Sequence, residues 1–256
     1  MLLAVDIGNT DIVFGFHDGN NGWSAEMRHP SAHYTTAGKC FKKWLVEHNI
    51  SPHLINNIVL SSVVPGVTPS LLASLKSLTG LEPLILGMEL YDKLPLDIDN
   101  PEEIGSDLVA NAYASYQLFR KACIIVDFGT ALTFTAVSAE GEIMGVAIAP
   151  GLKTAMKSLF ANTAQLPMVP LDLPESVIGK NTAHAVQAGI LGGYVGLVNE
   201  VLNRMIEEMG GDVFLVATGG LSAILKPVHE RFDHIDRRLT LEGLRMISEK
   251  FSKPTH

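Results

Sequence analysis

"LLAVDIGNT", residues 2–10, is an apolar run that ends in an aspartate and continues into a glycine and two small polar residues. The next stretch, residues 11–17, again has apolar side chains at alternate positions. Two alternating runs separated by a glycine-containing break predict a β-hairpin with its turn at residues 8–10. Such a hairpin would hold the carboxylate of Asp6 near the end of its first strand.

The same pattern returns in "CIIVDFGTALTF", residues 123–134. Aligned on Asp6 and Asp127, VDIGNTDIVFGF stands against VDFGTALTFTAV at an offset of 121 residues, about half of the 256-residue chain. A repeat on this scale predicts two similar α/β domains in tandem, residues 1–120 and 121–256, with a cleft between them. The alternative is a pair of unrelated hairpins, which are common units.

The composition predicts a soluble, cytoplasmic protein with a sizeable core, because 47% of the residues are hydrophobic. The formal net charge of −8 argues against nucleic acid and anionic membranes as partners. No uninterrupted apolar run is long enough for a membrane span, and the first apolar stretch is too short for a signal peptide. Cys40 and Cys123 are too few for a disulfide framework, and the histidines have no paired metal-ligand spacing.

Two long helices are predicted between and after the hairpins. Residues 100–119 have helical spacing, with Asn100 as a cap and acidic residues in the first turn. Residues 182–209 also have helical spacing and include four glycines, which we expect to allow close packing against another helix. Further on, "VFLVATGG", residues 213–220, predicts a strand that runs into paired glycines, and a last helix is predicted after Phe232.

The hairpin turns have the chemistry of a phosphate site. Glycine lets backbone N–H groups approach an anion closely, and Asn9, Thr10 and Thr130 add side-chain donors. Asp6 and Asp127 cannot hold phosphate directly, because like charges repel, but they can hold a metal ion or its water ligands. The two turns therefore predict a clamp for nucleotide phosphates.

With the TGG segment, these motifs resemble the two phosphate motifs and the adenosine motif of the actin, sugar-kinase and heat-shock ATPase superfamily. More narrowly, the chain resembles the type III pantothenate kinases, also called the Bvg accessory factor family. The matching segments are Asp6–Thr10, "GSDL" (Gly105–Leu108), Asp127–Thr130, "GVAIAPG" (Gly145–Gly151), "GKNT" (Gly179–Thr182) and Thr218–Gly220. The resemblance implies an α/β fold of two tandem ribonuclease H-like (actin-like ATPase) domains.

The resemblance also implies ATP-dependent phosphorylation of pantothenate to 4'-phosphopantothenate, the first step of coenzyme A biosynthesis. Asp107 would be the general base, a role that suits a carboxylate facing a primary alcohol. The implied ATP-binding residues are Asp6, Ile7, Gly8, Asn9, Thr10, Asp11, Ile12, Val13, Thr130, Gly219 and Gly220. The implied substrate-binding residues are Gly105, Ser106, Asp107, Leu108 and Thr182.

The cofactors implied are Mg²⁺ with ATP, with Asp6 in the magnesium shell, and a monovalent cation, K⁺ or NH₄⁺, held by Asp127. The family also implies a homodimer, with Thr182 meeting pantothenate within one chain or across the dimer interface.

Two departures from the family pattern fall in the acid-substrate pocket. Leu108 stands where the family has an arginine, and Ile98 stands where it usually has a tyrosine. Losing a charged hydrogen bond to a substrate carboxylate costs roughly 1.5–3 kcal/mol.

Three interpretations follow. The chain is a pantothenate kinase that uses another cation, such as Lys180 or Arg120, or a kinase of a more apolar alcohol, or a degenerate member with a regulatory or binding role. The two enzyme interpretations are favoured by retention of the residues to which the family gives roles, namely Asp6, Asp107, Asp127, Thr130 and Thr182.

Overall fold

The computed structural model describes residues 1–163, 166–220 and 226–252. The chain forms two compact units: the first is Met1–Ala114 together with Leu239–His256, and the second is Ser115–Arg238. Within the described residues, the principal strands form one five-stranded sheet in each unit.

The first unit is built on a sheet with the strand order β3-β2-β1-β4-β5. β1 is antiparallel to β2 and parallel to β4, so the predicted hairpin is confirmed. In this register Asp6 of β1 lies opposite Val13 of β2 on one side and Ser61 of β4 on the other. The strands are β1 (Leu2–Ile7), β2 (Asp11–His17), β3 (Trp23–Pro30), β4 (Asn57–Ser62) and β5 (Leu84–Ile85).

Helices cover both faces of this sheet. They are α1 (Tyr34–Glu47), α2 (Thr68–Thr79), α3 (Met88–Tyr91) and α4 (Ser106–Phe119), of which the last crosses the unit boundary. Alternate residues of β1 divide between two cores: Leu3 and Val5 pack with α1 and α2, whereas Ala4 packs with α4. Asp6 therefore lies on the face of the sheet that α4 covers.

The helix predicted for residues 100–119 begins later, at Ser106. The Glu103 N–H donates to the Asn100 carbonyl at 3.1 Å, which closes a turn before the helix rather than its first helical turn. The start of α4 is instead fixed by Ser106, whose hydroxyl accepts from the Ser62 N–H at 3.0 Å. A tertiary contact therefore sets this helix boundary and overrides the local capping signal.

The second unit repeats this arrangement with the strand order β10-β9-β6-β7-β8. β6 is antiparallel to β7 and parallel to β9, which places Asp127 opposite Thr133 and Thr218. The strands are β6 (Cys123–Phe128), β7 (Ala131–Val137), β8 (Ile143–Pro150), β9 (Phe214–Thr218) and β10 (His234–Ile235). Their helices are α5 (Leu152–Ala161), α6 (Thr182–Gln187), α7 (Gly193–Glu208) and α8 (Lys226–His229).

The helix predicted for residues 182–209 is present as α6 and α7 joined by a π-helical segment, Ala188–Gly192. A Cβ placed on each of its four glycines would meet nothing within 4 Å apart from the helix's own nearby backbone. The predicted reason for these glycines, close packing against another helix, is therefore wrong for the described part of the chain. The four are Gly189, Gly192, Gly193 and Gly196.

By length and composition alone, one helical stretch of the described residues, Thr182–Glu208, could cross a membrane. One third of its apolar window is buried inside the protein (33%). Core helices of soluble proteins meet the same criteria, so this is weak evidence for a span. The expectation of no span stays a prediction.

The last predicted helix is present as α9 (Leu239–Phe251), and it belongs to the first unit rather than the second. Leu241, Leu244 and Ile247 are buried in the core that contains α4. Gly243 lies so close to α4 that a Cβ there would overlap the Ala110 carbonyl oxygen. The observed units differ in this way from the expected division at residue 120, because the apolar face of α9 is buried on the first sheet.

Candidate functional site

In the first unit, the turn between β1 and β2 is held by Ser31, directly after β3. The Ser31 N–H donates to the Thr10 carbonyl at 2.8 Å, and the Ser31 hydroxyl donates to the Gly8 carbonyl at 2.6 Å. The Gly8 N–H donates to the Asp11 carbonyl at 3.0 Å, and Asn9 and Thr10 are exposed. The turn backbone is thus held by Ser31, while the side chains of Asn9 and Thr10 face solvent.

Three of the predicted ATP-binding residues bury their side chains. Ile7 and Ile12 are fully buried and Val13 is almost so. These residues can contact a ligand only through their backbone atoms. Their side chains instead fix the hairpin to the core.

In the second unit, the turn between β6 and β7 is held in the corresponding way by residues that follow β8. The Gly151 N–H donates to the Thr130 carbonyl at 2.9 Å, and the Thr154 hydroxyl donates to the same carbonyl at 2.7 Å. Within the turn itself, the Gly129 N–H donates to the Ala131 carbonyl at 3.1 Å. Thr130 is exposed beside this braced backbone.

The second turn is one residue shorter than the first. Ile7 pairs with Ile12 across the first turn, whereas Phe128 pairs with Leu132 across the second. The ungapped alignment at an offset of 121 is therefore right for β1 and β6 but shifts by one residue after the turn. Val13 corresponds to Thr133, and Pro30 at the end of β3 corresponds to Pro150 at the end of β8.

Asp127 lies against the backbone of the TGG segment. Gly219 has φ +90°, which favours glycine, and a Cβ there would overlap Oδ1 of Asp127 and lie 2.8 Å from the Phe128 backbone N. Gly219 thus brings the end of β9 against the Asp127 carboxylate. Gly220 is the last residue described before the gap at 221–225.

Asp6 and Asp107 come to the same end of the same sheet face through two serines. Ser61 lies beside Asp6 in the parallel ladder, and its hydroxyl is 2.9 Å from the Ser106 hydroxyl. Ser106 also donates to the Ser62 carbonyl at 3.2 Å. Asp107 follows directly in the first turn of α4, so the helix start and its carboxylate are fixed to the end of β4.

Asp107 is half-buried, and its surroundings change its acidity. Burial raises the pKa of its carboxyl above the usual range, although the N–H groups of Leu108 and of Asp107 itself lower it in part. The Leu108 N–H donates to Oδ1 of Asp107 at 2.8 Å. Gly105 precedes this pair, and its carbonyl accepts from Val109 at 3.2 Å.

Tyr91 of α3 is a neighbour of this carboxyl that the sequence did not single out. Burial, followed by the nearby charge of Asp107, raises the pKa of Tyr91 to about 12. Its side chain packs in the same core as Ile98 and Val109, and Leu108 is also buried. The region where the family has its arginine and tyrosine is therefore mostly apolar, with one tyrosine beside Asp107.

Thr182 begins α6, which is capped by Asn181: the Asn181 side chain accepts from the His184 N–H at 2.9 Å. Thr182 and Lys180 are both exposed. Arg120, in contrast, follows the last residue of α4, roughly 20 Å along the helix from Asp107. Its guanidinium is already engaged by Gln117 and lies 4.8 Å from the ring centre of Tyr116.

The donor groups suit the ions that the family implies. A single carboxylate such as Asp6, with Oδ1 buried, fits the way Mg²⁺ is usually held by one or two carboxylates with water and phosphate oxygens. Asp127 offers oxygen ligands beside a close backbone, which suits a hard monovalent ion. No group of three or more His, Cys, Asp or Glu side chains that could hold a metal occurs in the described ranges.

One cavity in the first unit, of about 260 Å³, is lined by residues that include Asn57, Leu84 and Phe251. Asn57 is the first residue of β4, whereas Ser61 beside Asp6 is near its end. The cavity therefore lies at the opposite end of the sheet from the predicted site.

Ser31, Ser61, Thr154 and Tyr91 are the neighbours that the sequence did not indicate. Each acts on a site residue far away in the chain, as Ser31 does on Thr10. Only the register of the strands and helices brings them together. No local pattern marks them.

The family model described as Type III pantothenate kinase matches residues 2–204 of the chain. A type III pantothenate kinase from Moorella thermoacetica is 41% identical over 253 residues, which cover 98% of this chain and 99% of the relative. Another from Treponema pallidum (strain Nichols) is 42% identical over 256 residues, covering 96% and 93%.

Among solved structures, a putative 2-dehydro-3-deoxygalactonokinase from Sinorhizobium meliloti has a TM-score of 0.62 at 14% identity, covering 100% of this chain and 98% of that one. This likeness bears on the fold alone. It agrees with the two α/β sheets and confirms the predicted fold of tandem actin-like ATPase domains. The cleft between the domains stays a prediction.

Proposed function

The chain belongs to the family of type III pantothenate kinases, and we propose from this that it transfers the γ-phosphate of ATP to pantothenate to give 4'-phosphopantothenate. This phosphorylation is the first step of coenzyme A biosynthesis. The observation that carries the proposal is the serine link, Ser61 to Ser106, which brings a half-buried carboxylate, Asp107, to the same sheet end as Asp6.

We propose Asp107 as the general base. Burial raises the pKa of Asp107, which makes its carboxylate a better proton acceptor than a solvated one. The attachment of Ser106 to β4 keeps the base in a fixed place while the alcohol oxygen attacks the γ-phosphate. Because phosphoryl transfer depends mostly on positioning and electrostatics, a fixed carboxylate is well suited to this role.

The two braced turns would bind the phosphates of ATP. The Gly8 N–H already donates to the Asp11 carbonyl, so Gly8 would contribute close approach, while Asn9 would supply a backbone N–H and, with Thr10, an exposed side-chain donor. Thr130 would add a hydroxyl from the second turn. Ser31 and Thr154 donate to the Gly8 and Thr130 carbonyls, so these two oxygens, which would repel a phosphate, are already hydrogen-bonded within the protein. Gly219 and Gly220 would present backbone to the adenosine.

Asp6 would bind the shell of Mg²⁺, and Asp127 would bind the monovalent cation, K⁺ or NH₄⁺. When bound, both ions supply positive charge that neutralises the phosphates. The chain's own part is to hold each carboxylate at a strand end, Asp6 by β1 and Asp127 by β6 against Gly219.

We propose Lys180 as the cation that replaces the family's arginine. Leu108 is buried and offers no charge, and Arg120 is engaged at the far end of α4. Lys180 is exposed two residues before Thr182, the predicted pantothenate contact. An ammonium on a flexible stem can reach a carboxylate in several geometries.

A homodimer is the proposed assembly, and the second unit offers the surface for it. Met144, Val146 and Ile148 form one exposed apolar row on the edge strand β8. Three further apolar side chains, which follow β8 in the second unit, are more than three-quarters exposed: Met168, Val177 and Ile178. Exposed apolar rows on a sheet edge are typical of protein interfaces. For a metabolic kinase we also propose a cytoplasmic location.

The first test is an ADP-release assay on the full chain with Mg-ATP and KCl, with and without pantothenate. We expect pantothenate-dependent turnover, and Asp107→Asn should lower kcat by roughly 10²–10⁴. The exposed Asp99→Asn is the matched control and should change kcat less than twofold. Turnover with a more apolar primary alcohol instead, or ATP binding with no acceptor, would contradict the proposal and support the other two interpretations.

Lys180 is tested by comparing two acceptors, pantothenate and its analogue in which CH₂OH replaces the carboxylate. Lys180→Ala should raise KM for pantothenate about tenfold, because a charged hydrogen bond is lost. KM for the uncharged analogue should stay within twofold. An equal change for both acceptors would show that Lys180 does not contact the carboxylate.

A further inference from the structure

Thr133 occupies the position next to Asp127 in the second sheet. β7 is antiparallel to β6, and Thr133 lies directly opposite Asp127 in that ladder. Directly opposed residues on neighbouring strands project from the same face, with Cβ atoms about 4.5–5.5 Å apart. On the other side, Thr218 of β9 is paired with Asp127 in the parallel ladder. The carboxylate therefore stands between two hydroxyl-bearing residues.

The Thr133 hydroxyl is buried, and it has no hydrogen-bond partner among the residues that the structure describes. The residue as a whole is 9% exposed. Leaving a buried hydroxyl unpaired costs about 1–3 kcal/mol, and native proteins nearly always satisfy such groups with protein, water or an ion. We therefore expect the Thr133 hydroxyl oxygen to contact a bound water molecule or ion.

The first unit shows that the hydroxyl is not needed to build the hairpin. At the corresponding position, opposite Asp6, it has Val13, which has nearly the shape of threonine but no oxygen. Val13 is packed in an apolar core. The second unit therefore carries one extra oxygen at a place where an apolar residue serves the same fold.

We propose that the Thr133 hydroxyl oxygen is a ligand of the monovalent cation held by Asp127, an inference that rests on the cation site of the proposed function. A hydroxyl has two lone pairs and can meet an ion through one of them. Carboxylate and hydroxyl oxygens are hard donors of the kind that K⁺ and NH₄⁺ accept. The valine opposite Asp6 gives the magnesium carboxylate no such companion.

Thermal unfolding of the full chain, with KCl exchanged for NaCl at constant ionic strength, tests this. Mg²⁺ and a non-hydrolysable ATP analogue are present throughout. The K⁺ concentration that gives half of the stabilisation should rise about tenfold in Thr133→Val, and it should stay within twofold in Thr133→Ser. Asp127→Asn should abolish the K⁺-specific stabilisation.

Thr135→Val is the matched control, because Thr135 is buried on the same face of β7, two residues further along the strand and opposite Ile125. It should leave the K⁺ midpoint within twofold. If Thr133→Val does not fold, Thr133→Ala removes the same oxygen without adding a methyl group, and its midpoint is compared with that of Thr133→Ser.

An unchanged midpoint in the variant without the hydroxyl overturns the proposal, as does equal stabilisation of the wild type by K⁺ and Na⁺. A Thr135→Val shift as large as that of Thr133→Val also overturns it. Pantothenate phosphorylation, measured on the same protein preparations with ATP in place of the analogue, keeps the two hypotheses apart. Turnover with an unshifted midpoint refutes only the Thr133 ligand, and a shifted midpoint without turnover refutes only the kinase.

Discussion

The hairpins of the two units share strand order, an aspartate near the end of the first strand and a brace from the residue after the third strand. They differ in what flanks that aspartate. In the first unit the row across the sheet reads Val13, Asp6, Ser61, and in the second it reads Thr133, Asp127, Thr218. One copied scaffold thus carries two different chemical environments.

The serine in the first row explains much of the difference. Ser61 is bonded to Ser106, so Asp6 is tied to the helix that carries Asp107. In the second row the neighbours of Asp127 are threonines, and the close partner is the glycine backbone at Gly219. We infer that the first hairpin serves the acceptor and magnesium chemistry and the second serves the monovalent cation.

The largest effect is expected when each of the two aspartates is replaced by asparagine, which tests whether the two hairpins have different roles. Asp6→Asn should lower kcat/KM roughly 10–100-fold while the relative activation by K⁺ stays as in the wild type. Asp127→Asn should remove the activation by K⁺, giving the same rate in KCl and NaCl. Rates measured over a K⁺ titration at constant ionic strength check both. A flat K⁺ profile in Asp6→Asn would break the comparison.

The two units also differ at an edge of their sheets, because the edge strand β8 of the second unit exposes an apolar row. Ile148 of β8 is 69% exposed, and Ile85 of β5 in the first unit is 45% exposed. Ile148→Glu should place a charge in the proposed dimer interface and shift the chain to monomers, whereas Ile85→Glu should leave dimers intact. Sedimentation of both variants decides, and dissociation by Ile85→Glu alone would move the interface to the first unit.

The smallest expected effect concerns an ion pair in each unit. In the first, Glu242 of α9 contacts Arg245 and accepts from Trp23 at 3.0 Å, and its side chain is 18% exposed. In the second, Glu200 and Arg204 of α7 are 61% and 73% exposed. Glu242→Gln should lower the free energy of unfolding by about 1–2 kcal/mol at pH 7, and Glu200→Gln by less than about 0.5 kcal/mol.

This difference should depend on pH. Burial alone would raise the pKa of Glu242, but the hydrogen bond and charge of Arg245, together with the Trp23 hydrogen bond and the charge of His17, outweigh it and hold that pKa below the usual range. The unfolded chain then binds the proton first, so the stabilisation is complete above the unfolded pKa of about 4.3 and is lost as the pH falls through the lower folded value. Urea unfolding between pH 3 and 7 measures it, and a constant gap between wild type and Glu242→Gln would refute this linkage.

The sequence predicted those parts of the fold that depend on local pattern. The alternation of apolar and polar residues predicted the observed limits of β2, Asp11 and His17. The two aspartates were predicted to lie near strand ends because the apolar runs stop there. The pairing register of the strands could not be predicted. The second turn is one residue shorter than the first, so Asp127 pairs with Thr133, and an ungapped alignment does not show this shift.

Other features depended on contacts between distant residues. The start of α4 follows from the bond between Ser62 and Ser106 rather than from the capping signal at Asn100. The return of α9 to the first sheet follows from packing against Ala110, which no spacing within α9 encodes. Likewise, the roles predicted for Asp6, Asp107, Asp127 and Thr182 stay predictions.

The return of α9 has a consequence for synthesis on the ribosome. The first unit lacks the helix that buries Leu241, Leu244 and Ile247 until the whole second unit has been made. At 5–20 residues per second, the roughly 120 intervening residues take about 6–25 s to translate. During that interval one face of the first sheet has an incomplete apolar cover, which leaves in water the apolar side chains that α9 later buries. The contiguous second unit can fold as it emerges.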